Sequence, residues 1–143
     1  MRVFICSYSG FSLAIPMDVV SSIFIFNDKI EGKVHYNTEN RNTYISLPHV
    51  FNCPVYNNHH GIIIKYGNTE HETEDRIILV SSEIESEKEI QAEVFYPIPK
   101  TLGVFKFSQF FSGILFNKQS GKMILLLNTE HLIQNIKKEK NYD

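Results

Sequence analysis

The chain has 143 residues, of which 43% are hydrophobic and 21% charged, and a formal net charge of -2. That length suits one domain able to bury a core without disulfides or metal, and the composition excludes a disordered chain. The charge excludes a broad basic surface for a phosphate backbone, since the lysines gather mainly at Lys137, Lys138 and Lys140.

The first residues read as strand. "RVFICSY" (2–8) is rich in β-branched and aromatic side chains, Ser9-Gly10 supplies a turn, and "FSLAI" puts Phe11, Leu13 and Ile15 on one face by alternation. This predicts a hairpin with Ser12 on the outward side. Pro16 stops it, Asp18 is placed to cap a helical turn through Val19 and Val20, and "SIFIF" (22–26) follows as a strand ending in Asn27-Asp28. Short strands are expected at Val34–Tyr36 and Thr43–Ile45.

"SLPHVFN" carries a helix start. Ser46 is a suitable cap, its hydroxyl placed to accept an early backbone N–H, Pro48 is tolerated in the first turn, and Leu47, Val50 and Phe51 fall at helical spacing until Cys53-Pro54. Further strands are expected at Gly61–Tyr66 and Arg76–Val80, on either side of the acidic loop 67–75. Residues 81–94 fit neither period well and read as strand or loop. Pro97 and Pro99 keep 95–100 extended, and apolar runs follow at 104–107, 110–116 and 122–127. Asn128 then caps a closing helix, "TEHLIQNIKK", with Glu130 near its positive end, Lys137 and Lys138 near its negative end, and an apolar face of Leu132, Ile133 and Ile136. "ISLPHVF" (45–51) and "LNTEHLI" (127–133) echo one another as strand-to-helix corners, which points to two similar β units.

Tests for chemistry come out bland. Around Ser120-Gly121-Lys122 a phosphate loop would need an early Gly and a hydroxyl after the Lys; Phe116 and Met123 stand there, so a hairpin turn is expected. "GFSLA" (10–14) falls short of a nucleophile elbow, because Ser12 lies in an alternating strand. Cys53 and the loop histidines His59 and His60 lack a second ligand pair, so no metal site is expected; Cys6 and Cys53 are expected to be reduced and buried. His49 and His131 read as structural or surface histidines of the short helices rather than as bases. Glu70, His71, Glu72, Glu74 and Asp75 read as a solvated charge run. No cofactor and no catalysis are expected. No apolar run approaches the roughly 20 residues that span a bilayer, and the N-terminus lacks the form of a signal peptide, so a cytoplasmic protein without direct membrane insertion is expected.

The succession of segments resembles the CheW-like domain of bacterial chemotaxis coupling proteins. "VFICSYSGFSLAIPMDVVSSI" looks like that family's opening, and Gly32 in "EGKVHY" falls where the family opens a Gly-Val-Ile-Asn-Leu-Arg-Gly hairpin. "YISLPHVF" is similar to its Val-Ile-Asp-Leu corner with Ser46 for Asp, and "FYPIP" to its Pro-rich crossing. "FFSGILFNKQSGKMILLLNTEHLI" is similar to its closing stretch with Asn128 for Asp. The resemblance implies a mainly β fold, in which residues 1–143 form a single domain of two intertwined SH3-like β-barrel subdomains with short capped helices and a C-terminal helix. It also implies a non-enzymatic adaptor that couples a chemotaxis histidine kinase to the cytoplasmic tips of chemoreceptors. The family's hairpin Arg-Gly is replaced around Tyr36-Asn37-Thr38, which puts ordinary receptor coupling in doubt.

On this reading Val34, Tyr36, Asn37 and Ile45 are the expected partner-binding residues, and Ser46 and Asn128 the structural helix caps. A rival is a small β-barrel module for another partner, such as single-stranded nucleic acid stacking on Tyr and Phe, against which the missing basic groove weighs. A second rival is an enzyme built on His71 and its neighbouring acids.

Overall fold

A computed structural model describes residues 1–8, 10–55, 59–65, 76–90, 95–98, 108–116 and 121–140. The expected acidic loop around His71, the apolar run 104–107 and turn residues 117–120 lie outside them.

Among the described residues the strands form two five-stranded sheets. The first hairpin pairs β1 (Arg2–Tyr8) with β2 (Phe11–Pro16), Cys6 opposite Leu13. A 3-10 turn over Met17–Val19 leads into β3 (Val20–Phe26); it forms after Pro16 without a side-chain cap, so Asp18 does not play the capping role that its position suggests. There follow β4 (Val34–Asn37), β5 (Asn42–Ser46), helix α1 (Leu47–Val50), β6 (His59–Ile64) and β7 (Arg76–Ser82). Residues 84–89 form β8 (Ile84–Glu89), and a 3-10 turn at Ser108–Phe110 enters β9 (Phe111–Phe116). The chain closes with β10 (Met123–Leu127) and helix α2 (Thr129–Lys140). β9 and β10 are antiparallel with Phe116 opposite Met123, and Gly121 adopts φ +69° in the connection, a conformation that Gly reaches without a steric penalty. Gly121 and Lys122 therefore belong to a hairpin connection, as expected; Ser120 lies outside the described residues.

The order of the first sheet is β8-β1-β2-β10-β9 and of the second β3-β6-β7-β5-β4. Each runs antiparallel, antiparallel, parallel, antiparallel in that order. The chain is thus two successive β-β-β-β-β-α passages, β1 to α1 and β6 to α2. The first two strands of each passage pair with the last three of the other.

The correspondence holds at the level of single residues. In both sheets the first pairing carries an irregularity in the same place, between Val20 and Ser22 on β3 and between Ile5 and Cys6 on β1 facing β8. Following the register across each sheet, Val3 corresponds to Gly61, Ala14 to Ile78, and Leu126 to Tyr44. The next residues along β5 and β10 are Ile45 with Leu127 and Ser46 with Asn128, the alignment of the two echoed corners. The backbone repeats the match, since Ser46 N–H donates to the Lys33 carbonyl at 2.8 Å and Asn128 N–H to that of Phe110 at 2.7 Å.

Alternation decides what each sheet buries. Cys6, Leu13, Ile15 and Leu127 from the first sheet meet Ile45, Ile62, Ile64, Ile77 and Leu79 from the second in one core, which the apolar sides of α1 and α2 complete. At its margin, Tyr8, Phe11, Phe51 and Phe111 form a ring cluster with centroid separations of 5.4 to 6.4 Å. The other face of the first sheet has its own core of Val3, Ile5, Ala14, Ile124 and Leu126. This corrects the expectation for Ser12. β2 lies mid-sheet with apolar packing on both faces, and Ser12 is only 6% exposed.

Both corners form as helices with different capping chemistry. Asn128 Oδ1 accepts the His131 N–H at 3.0 Å. Ser46 occupies the equivalent place, but its hydroxyl makes no bond to the backbone of α1; it pairs instead with Nδ1 of His49 at 2.5 Å. Pro48 removes one of the two amides that such a cap can reach, and the imidazole takes the hydroxyl. α1 ends in a Schellman arrangement. Asn52 sits at φ +53°, its N–H donates to the His49 carbonyl at 3.3 Å, and Cys53 N–H donates to that of Pro48 at 2.8 Å.

Candidate partner-binding surface

Residues of β4 alternate between two faces. Val34 lies opposite Ile45 and Tyr36 opposite Thr43, while His35 faces Tyr44 and Asn37 faces Asn42. Along the first of these faces burial falls outward: Ile45 is 1% exposed, Val34 is half-buried and Tyr36 is 37% exposed. Ile45 therefore belongs to the core and offers nothing to a partner, because β5 lies between β4 and β7 with its apolar side turned inward. Val34 and Tyr36 remain on the surface as neighbours on one face. Asn37 serves the turn beside it. Its Oδ1 accepts the Glu39 N–H at 2.9 Å and the Asn40 N–H at 3.4 Å, which closes the β4–β5 connection.

Other large apolar side chains reach solvent from the sheet margins, chiefly Ile25 on β3 and Phe116 on β9, 73% and 59% exposed. Sequence reading passed over β3 as a surface. Its signal was the unbroken apolar run Ile23 to Phe26, which cannot all point inward from a marginal strand. The corresponding strand β8, "IESEKE", has Glu85, Glu87, Lys88 and Glu89 on its margin. Charges of that kind discourage pairing with a further strand, and β3 has none. Phe24 is held in place from beneath, since its ring lies over Gly61, where an added Cβ would meet it inside van der Waals contact. Gly61 takes the position that Val3 occupies in the other sheet, so the Phe24 ring supplies the missing volume.

The two corners also line two clefts at corresponding places. One, of about 390 Å³, is bounded by Phe26, Ser46, His49, Val55, His59 and Val80. The other, of about 640 Å³, is bounded by Met1, Pro16, Asp18, Lys65, Asn128 and Glu130. By register Met1 corresponds to His59, Pro16 to Val80 and Asn128 to Ser46.

The histidines expected in a loop, His59 and His60, open β6 instead, because they pair with Phe26 and Ile25 on one side and with Ser82 and Ser81 on the other. His60 Nδ1 accepts the Ile84 N–H at 3.0 Å. Both ring nitrogens of His59 are shut off from solvent and unpaired among the described residues, and burial pulls its pKa below the ordinary 6.5. Of the thiols, Cys6 is buried and Cys53 half-buried, and neither is in a disulfide; burial pushes the Cys6 thiol up to about 11, which leaves it protonated and unreactive. Among the described residues no group of three His, Cys, Asp or Glu is placed to hold a metal ion, and no helix is long and apolar enough to cross a membrane.

Two five-stranded sheets with reciprocally exchanged strands, joined through a common core, define a mainly β protein in which Phe24, Ile25, Tyr36 and Phe116 are exposed apolar residues on marginal strands. A solved structure of this kind is similar along most of its length: the scaffolding protein TtCheW from Thermoanaerobacter tengcongensis, with a TM-score of 0.61 at 15% identity, covers 89% of this chain and 83% of its own. No protein-family model and no curated protein sequence matches. The chain has a CheW-like fold, carried by a sequence that has diverged far from that scaffold.

Proposed function

We propose that this protein is a non-enzymatic adaptor of chemotaxis signalling that holds a histidine kinase and chemoreceptor tips together through its surface. The observation that carries this reading is the likeness to a scaffolding protein over 89% of the chain. The whole of 1–143 is read as one such domain, its two halves interlocked by strand exchange, working in the cytoplasm. Val34 and Tyr36 on β4 form the proposed contact, with Asn37 shaping the turn beside them. Arg41 lies at the end of the β4–β5 connection rather than at Tyr36-Asn37-Thr38. Contact through Val34 and Tyr36 themselves rests on apolar burial, which is expected to be less sensitive to salt than an ion-paired interface.

The test is co-sedimentation of the purified protein with a chemotaxis kinase and with a receptor signalling fragment from its own organism. Binding to either that is lost in Tyr36→Ala and in Val34→Asp, with the circular dichroism unchanged, is the expected result. Failure to bind both would end this reading.

A further inference from the structure

Four strands end the two sheets, and three of them are guarded against a further strand. β8 carries Glu85, Glu87, Lys88 and Glu89. The outer edge of β9 is taken by Tyr96, whose N–H donates to the Ile114 carbonyl and whose carbonyl accepts the Ile114 N–H, both at 2.8 Å. β4 is only four residues long and runs straight into the turn at Asn37. β3 has none of these devices. It extends for seven residues, its irregularity falls before Ser22, and from Ser22 to Phe26 its register against β6 is unbroken. No described strand pairs with its outer edge, and between Asp18 and Asp28 the chain bears no charged side chain.

A row of backbone amides and carbonyls without a neighbouring strand fixes what docks there, namely another extended strand. The side chains select which one. Ile23-Phe24-Ile25 reads the same in both directions, so a second β3 laid antiparallel about Phe24 sets Ile23 against Ile25 twice and Phe24 against Phe24. Ser22 then faces Phe26 and Val20 faces Asp28, so no like charges meet. The same operation on β8 about Glu87 would set Glu85 against Glu89. Ile25, 73% exposed, and Phe24, 37% exposed, are the large side chains that the β3 pairing covers. A two-fold operation also closes the association at two copies, since the other three edges are guarded.

We propose that two copies of this chain associate through antiparallel β3 strands, their second sheets continuing as one sheet across a two-fold axis at Phe24. The pairing is small beside a standard interface, so the dimer belongs to concentrated solution. It does not depend on a kinase or a receptor.

Sedimentation equilibrium of the purified chain over a wide concentration range is expected to show monomer and dimer with no larger species. Ile25→Glu enters the interface twice and is expected to weaken association by about ten-fold or more, whereas Phe116→Glu on β9 is expected to leave it unchanged. Hydrogen exchange at the outward amides of β3 is expected to slow as concentration rises. A chain that stays monomeric with those amides exchanging freely would overturn the proposal and leave the edge to a strand of another protein. Protection of the same amides already in the monomer would overturn it in favour of another segment of the same chain. An equal loss of association in Phe116→Glu would also overturn it. If Ile25→Glu does not fold, the concentration dependence of exchange in the parent chain still decides the matter.

Discussion

The Tyr8 hydroxyl and the Ser81 hydroxyl share a hydrogen bond of 2.7 Å, and with it β1 of one sheet is tied to β7 of the other. Ser81 is fully buried, and Ser82 extends the tie by donating to the Ser7 carbonyl at 3.2 Å. Ser81→Ala leaves a phenol without this partner at the seam, and a loss of about 1–3 kcal/mol of stability is expected from chemical denaturation. Adding Tyr8→Phe is expected to cost less than the sum of the two single changes, because the orphaned hydroxyl goes with it.

The two thiols are expected to react at very different rates. With its pKa pushed up to about 11 by burial, Cys6 stays protonated at neutral pH and enclosed in the core, whereas half-buried Cys53 lies after α1. Alkylation of the native protein is expected to modify Cys53 alone, and both cysteines after unfolding. Mass spectrometry of the digested adducts reads the outcome, and native labelling of Cys6 would contradict it.

Stability is expected to fall on mild acidification in a way that traces to His59. Its folded pKa lies below the ordinary 6.5 because burial disfavours the imidazolium. As the pH drops below 6.5, the unfolded chain binds a proton that the folded chain refuses, so unfolding gains and stability declines; above 6.5 the contribution is flat. Melts of the parent protein and His59→Met across about pH 5 to 8 measure this, and the gap between the two curves is expected to change only on the acid side.

Ile25 gives a test of the apolar margin. At 73% exposed it contributes little to folding, and Ile25→Glu is expected to change stability by no more than about 0.5 kcal/mol. It places on β3 a charge of the kind that β8 already has, and light scattering of concentrated protein is expected to decrease. A large loss of stability would mean that the side chain packs more firmly than its exposure indicates.

Local patterns made much of this legible in the sequence. Alternation in "FSLAI" marked the side of β2 that meets the shared core, and the Ser and Asn corners marked where strands turn into helices. The misses have a common origin in neighbours distant along the chain. Ser12 is buried because β10 arrives beside β2, and Ile45 is covered because β7 pairs with β5. His59 and His60 are strand residues because Phe26, Ile25, Ser82 and Ser81 flank them. Ser46 turned to an imidazole three residues away, a choice that capping statistics do not contain. Exchange of strands between the two passages had no local sign beyond the echo of the corners.

That exchange has a consequence for how the chain comes into being. The first five strands with α1 contain no complete sheet, and neither do the last five with α2. A ribosome that has released only the first passage has made a fragment with its partner strands still to come. Cutting the chain between α1 and β6 should give two pieces that remain unfolded apart and assemble together, at a rate that rises with concentration. In that sense the molecule is an obligate heterodimer whose two protomers happen to share one polypeptide.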